Sequence, residues 1–130
     1  MIVVDTSALM AVLLREPEAG GCITALDTAD DIVISAATLA EALVVSRLRS
    51  TGVEMEQLIE ALGCEVAPVT EAVAQRVARA YQRWGKGVHP AALNFGDCFA
   101  YALAEEHACP LLYVGGDFAR TDIRSARAPS

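Results

Sequence analysis

A chain of 130 residues, 54% hydrophobic but only 5% aromatic, fits one domain and supplies a core of Ala, Val, Leu and Ile that needs no disulfide or metal staple. Its formal net charge of -7 argues against a protein that coats nucleic acid through a broad basic footprint, while leaving room for one whose carboxylates hold cations. The four cysteines, Cys22, Cys64, Cys98 and Cys109, are scattered, with no C-x-x-C pair and no histidine at ligand spacing, which argues against structural zinc and for buried reduced thiols.

The chain opens with an apolar, β-branched run over 2–4 that ends at Asp5, the pattern of a short buried parallel strand. No basic stretch precedes it, and the longest apolar runs, 8–14 and 98–104, are too short to span a bilayer, so a cytoplasmic protein is expected. Asp5-Thr6-Ser7 supplies capping chemistry for a helix to about 16, where Pro17 interrupts. A second helix covers 18–29, weakened by Gly20-Gly21, and Asp30-Asp31 turns the chain into a β-branched strand over 32–34. Ser35 caps a helix over 36–50 that Gly52 ends, and a shorter helix over 55–62 stops at Gly63. A third strand is predicted over 65–69, with Pro68 near its end. Thr70 caps a long helix to Trp84 with Glu71 in its first turn. After a loop over 85–93, Asn94 caps a helix to His107, Pro110 introduces an apolar strand over 111–114, and Gly115-Gly116-Asp117 forms a turn. The tail from Arg124 is a candidate edge strand. This alternation predicts an α/β fold, three layers deep, with right-handed crossovers and a central parallel sheet of four or five strands in one domain spanning 1–130.

In such sheets ligands bind beyond the carboxyl ends of the strands, where Asp5 and Asp117 fall. Each acid has a structural role to weigh against a functional one: Asp5 as a helix cap, Asp97 in a variation of the capping box opened by Asn94, Asp117 as a turn residue. Glu41 is harder to give such a role, with Arg47 and Arg49 its possible structural partners. Its neighbours Ala36, Ala37, Leu39, Ala40, Ala42, Leu43, Val44 and Val45 make nearly every face of its helix apolar, and Arg47 and Arg49 lie beyond the i+4 position. Four carboxylates brought together repel one another, and a divalent cation resolves the conflict. An all-oxygen donor set favours Mg²⁺ or Mn²⁺ over zinc and suits phosphodiester hydrolysis.

Four ordered stretches spanning nearly the whole chain then carry a family resemblance: Ile2-Val3-Val4-Asp5-Thr6-Ser7-Ala8; Ser35-Ala36-Ala37-Thr38-Leu39-Ala40-Glu41; Leu93-Asn94-Phe95-Gly96-Asp97-Cys98-Phe99-Ala100-Tyr101-Ala102; and Leu111-Leu112-Tyr113-Val114-Gly115-Gly116-Asp117-Phe118, continuing to Thr121-Asp122-Ile123. The sequence resembles PIN-domain proteins, specifically the VapC toxins of type II toxin–antitoxin (VapBC) pairs. The resemblance implies a PIN-like fold and a Mg²⁺-dependent endoribonuclease, with Mn²⁺ as a substitute, that cuts RNA by a metal-activated water and leaves a 5′-phosphate and a 3′-hydroxyl. It also implies a cognate VapB-type antitoxin as partner. By family position Asp5 and Asp97 are the principal metal ligands and Glu41 and Asp117 the supporting acids, while Thr6, Ser7 and Thr121 orient those carboxylates. Gly116 departs from the family, which often has Asp or Asn there, and makes Asp117 the weakest member of the set.

Gln75, Arg76, Arg79, Gln82, Arg83 and Lys86 recur at helical spacing as a polar and basic face, either solvated or contacting RNA phosphates, with Arg120 and Arg15 as weaker candidates. Leu9, Met10, Val12, Leu13 and Leu14 make an apolar arc wider than one core stripe requires, whose surplus suits an antitoxin helix or a homodimer face. Two alternatives remain: a PIN-type nuclease for RNA processing or structured DNA, and a non-catalytic binding module whose acids serve as caps.

Overall fold

The computed structural model describes residues 1–129. In chain order the elements are β1 (Ile2–Val4), α1 (Thr6–Leu13), α2 (Ala19–Thr28), β2 (Ile32–Ser35), α3 (Ala36–Leu48), α4 (Gly52–Leu62), β3 (Glu65–Ala67), α5 (Glu71–Trp84), α6 (Phe95–Glu106) and β4 (Leu111–Leu112), followed by a 3-10 turn at Phe118–Arg120. The four strands form one parallel sheet in the order β3-β2-β1-β4, with Val3 opposite both Val33 and Leu111.

Strand residues alternate between two cores, as the period of two in an extended chain demands. Val3, Val33 and Leu111 join Val77, Trp84, Tyr101 and Leu103 of α5 and α6 on one face. Ile2, Val4, Ile32, Ile34 and Leu112 join Leu9, Leu26, Ala42 and Met55 of α1 to α4 on the other. Two helical layers over a central sheet are the expected α/β/α arrangement. The chain runs outward from β1 to β2 to β3, then returns to place β4 on the far side of β1, so the strand order reverses between β1 and β4. Open α/β sheets bind ligands at such a reversal.

The boundaries differ from expectation where caps compete with propensity. Helix α1 ends at Leu13 rather than 16: Pro17 disfavours helical backbone at Glu16, and Arg15 turns left-handed at φ 53°. Helix α3 ends at Leu48, with Ser50 left-handed at φ 59°, and Gly52 opens α4 instead of only ending α3. There a Cβ would stand 2.9 Å from Cγ of Arg47, so glycine is what lets the two helices turn so tightly. Strand β4 stops after two residues because the Val114 amide leaves the ladder to donate to the Ser7 hydroxyl. The tail makes a single parallel bridge, Ser125 to Leu111, beside β4 rather than a full fifth strand.

Helix α3 turns small residues inward, Thr38, Ala42 and Ser46, and leaves Val44 and Leu48 exposed at 59% and 80%. The apolar arc of α1 is largely consumed by the core: Leu9 and Met10 are buried, and Val12, Leu13 and Leu14 are partly buried against the second cluster. No helix among the described residues is long and apolar enough to cross a membrane.

Candidate metal-binding active site

Asp5 stands where β1 ends, its amide donating to the Leu112 carbonyl at 2.9 Å. The residue is only 4% exposed. It is the N-cap of α1, and its Oδ2 accepts from the Ser7 amide (3.1 Å) and the Ser7 hydroxyl (2.6 Å). The Ser7 hydroxyl in turn accepts from the Val114 amide at 3.0 Å, so one side chain ties the end of β1 to the exit of β4. Capping therefore occupies one carboxylate oxygen. The other, Oδ1, is buried and accepts no hydrogen bond in the described structure. Such an oxygen costs desolvation energy that a cation would offset.

The neighbouring Thr6 hydroxyl reaches across to α3 and donates to Oε1 of Glu41 at 2.6 Å. Glu41 is half-buried, and the adjacent Thr38 hydroxyl, one turn earlier, is buried without a partner. Arg47 turns away to Glu56 at 3.8 Å. Asp97 sits in the first turn of α6 in a full capping box: Asn94 Oδ1 accepts from the Asp97 amide (2.8 Å), and Asp97 Oδ2 accepts from the Asn94 amide (3.0 Å). Asp117 is exposed at the start of the 3-10 turn and makes no side-chain cap bond.

Electrostatics join these residues into one neighbourhood. Burial pushes the Asp5 carboxyl above its ordinary value against the pull of the Ser7 hydrogen bonds, and the charge of Glu41 pushes it further. Burial likewise raises Asp97 to about 6; the Asn94 amide opposes the rise, and the charges of Asp5, Asp117 and Glu41 add to it. The other three acids thus all act on Asp97, and none of the four has a basic partner within ion-pair distance among the described residues. No three His, Cys, Asp or Glu side chains among the described residues close into a ready-made metal cage. An acidic neighbourhood without a closed cage suits Mg²⁺, which is held by one or two carboxylates and keeps several waters. The orphaned Asp5 oxygen and the all-oxygen donor set fit such an ion.

The structure distributes the other predicted residues unevenly. Thr6 and Ser7 hold carboxylates directly. Thr121 instead donates to the Phe118 carbonyl (2.7 Å) and accepts from the Ile123 amide (3.2 Å), shaping the turn that carries Asp117. On α5, Arg76 pairs with Glu105 and Glu106, and Arg83 pairs with Asp122 while lying over the Trp84 ring. Arg120 donates to the Pro90 carbonyl. Arg79 and Lys86 are exposed and carry no ion pair among the described residues. Of the cysteines, Cys22, Cys98 and Cys109 are buried and Cys64 is half-buried, and burial lifts the Cys98 thiol to about 11.

Sequence reasoning missed the Tyr101 relay. The Tyr101 hydroxyl accepts from Trp84 Nε1 (2.9 Å) and donates to Asp122 (2.6 Å), fastening the segment after Asp117 to α6. Its only advance signal was two polar-tipped aromatics on the inward faces of adjacent helices.

The family model described as PIN domain matches residues 2–124. The chain belongs to the PIN-domain family. Among relatives of this PIN domain, Ribonuclease VapC28 of Mycobacterium tuberculosis is 41% identical over 129 residues, covering 96% of this chain and 97% of its own. Among solved structures, the PIN domain matches Mycobacterium tuberculosis VapC20, described as a sarcin-ricin loop cleaving toxin, with a TM-score of 0.80 at 17% identity over 98% of this chain and 100% of that one. A toxin-antitoxin complex from Klebsiella pneumoniae matches with a TM-score of 0.68 at 19% identity, over 94% and 93%. At these identities the solved structures speak for the fold, and the 41% relative carries the family.

Proposed function

We propose that this PIN domain, a single domain over residues 1–130, is a Mg²⁺-dependent endoribonuclease that acts in the cytoplasm as the toxin of a toxin–antitoxin pair. The observation that carries the reading is the buried, unpartnered Oδ1 of Asp5, set among three further acids in a chain whose relative is a VapC ribonuclease. Asp5 and Asp97 would hold the ion, with Glu41 and Asp117 contacting its waters; Mn²⁺ would substitute. A bound divalent cation supplies Lewis acidity, activating water and offsetting charge on the phosphoryl oxygens.

The chain's own residues do the rest. Ser7 fixes Asp5 through one oxygen and leaves the other unpartnered, and Thr6 fixes the Glu41 carboxylate. The capping box holds Asp97 at the mouth of α6. Arg79 and Lys86 offer phosphate contacts beyond the site, and the ion pairs of Arg76 and Arg83, exposed and therefore weak, would exchange for phosphates at little cost. Arg120 stands near the Asp117 turn as a further contact. A VapB-type antitoxin and a second copy of the chain are the proposed protein partners, a reading supported by the apolar residues left bare on α3 and α4, Val44, Leu48 and Val53.

The test is cleavage of RNA and of matched DNA with Mg²⁺, with Mn²⁺ and with EDTA. Cleavage of RNA alone, abolished by EDTA and reduced about 100-fold or more in Asp5→Asn and Asp97→Asn proteins of normal circular dichroism, is the expected outcome. Full activity in both variants would overturn the metal-site assignment, and preferential cutting of DNA would overturn the substrate.

A further inference from the structure

We propose that Gly96 is a positioning residue whose missing side chain leaves the space in which the Glu41 carboxylate is held. The inference rests on the assignment of Glu41 to the site.

Gly96 is the second residue of α6, where glycine loses more backbone freedom on folding than alanine would. Its backbone gives no reason for that cost: the left-handed glycines of the chain are Gly63, Gly87 and Gly115. Its surroundings do. A Cβ built on Gly96 would stand 2.6 Å from Oε2 of Glu41, a separation that real Cβ atoms essentially never show, and 3.4 Å from both Glu41 Cδ and Asn94 Oδ1. The opposite oxygen, Oε1, is held by the Thr6 hydroxyl at 2.6 Å. The carboxylate is therefore gripped between a hydroxyl on α1 and the bare backbone of α6, directly beside Asp97.

The obstructed atom is the tip of a flexible side chain, so a methyl group at position 96 displaces it without disturbing the fold. The displacement costs the Thr6 hydrogen bond or swings the carboxylate away from Asp97. Glycine here trades helix stability for the placement of an acid, and the two effects separate experimentally.

The first measurement is thermal unfolding in EDTA of Gly96→Ala, Glu41→Ala and the double variant. With Glu41 truncated, Gly96→Ala gains its full helix propensity and raises Tm by roughly 2–4 °C; with Glu41 present the gain is smaller or reversed. Equal gains in the two backgrounds would show that the side chains do not meet and would overturn the proposal. The second is Mg²⁺ affinity by calorimetry and RNA cleavage. Gly96→Ala weakens both about tenfold, and adding Gly96→Ala to Glu41→Asp, whose shorter arm withdraws from the contact, weakens them no further. A Gly96→Ala protein that keeps wild-type affinity and rate while Glu41→Ala loses both refutes the positioning role alone. If Glu41→Ala also loses nothing, the reading of the site fails instead, and the unfolding cycle still decides whether the contact exists.

Discussion

Thr6 donates to a carboxylate 35 positions away, and that bond is the direct link between α1 and the acid of α3. Replacing it by the near-isosteric valine removes the donor while keeping the buried volume. Thr6→Val is expected to weaken Mg²⁺ binding about 10–100-fold, whereas Thr6→Ser retains it; equal affinity in all three proteins would show that Glu41 needs no hydroxyl to hold its place. Asp97 contributes to the pH response, in the same direction as the raised Asp5. Its carboxyl, lifted by burial and by its acidic neighbours from 3.8 to about 6, holds a proton in the folded state that the unfolded chain has already released between those values. The resulting stability is fully present below the unfolded pKa and is lost as pH rises through about 6. In EDTA the protein should therefore melt at a higher temperature near pH 5 than near pH 7, and Asp97→Asn should shrink that difference; melts that show no such shrinkage would remove Asp97 from the account. At this scale the four acids stood out in the sequence as candidates because Asp5 ends a strand, Glu41 and Asp97 lie on otherwise apolar helices, and Asp117 follows the last strand. Gly96 did not, because nothing in a local pattern shows that a side chain from another helix occupies the space beside it.

Helix α6 presents Asp97 at one end and Tyr101 one turn later, and the tyrosine fastens both α5 and the segment that follows Asp117. Tyr101→Phe leaves the Trp84 indole N–H without its partner and Asp122 with only its Arg83 ion pair. Urea unfolding should show a loss of about 1–3 kcal/mol, the cost of a buried donor left unsatisfied, and a loss below about 0.5 kcal/mol would mean that water replaces the hydroxyl freely. The relay escaped the sequence because its partners lie 17 and 21 residues from Tyr101, outside any helical period. Helix α3 misled in the opposite way. Its apolar composition suggested burial on nearly every face, yet small residues pack inward and Val44 and Leu48 face out. Hydrophobicity on all sides does not say which side the core takes. The capping signals fared better: Asp5, Ser35, Thr70 and Asn94 each accept the expected backbone amide.

Across the molecule, the alternation of strands and helices was enough to specify layers and parallel strands, because a parallel connection needs a crossover that covers the sheet. Strand order was not legible, since short apolar strands of similar composition pair equally well with one another. That order is what makes the site. Strand β1, the earliest in the chain, lies between β2 and β4, the latest; Asp97 reaches Asp5 on α6, and Asp117 joins them from the segment that follows β4. The arrangement gives the sequence a clock. A chain still leaving the ribosome holds Asp5 and Glu41 long before the remaining acids exist, so the proposed four-acid centre is complete only after residue 117 has emerged. For an enzyme that attacks RNA, the order of translation then sets when the centre can first be whole.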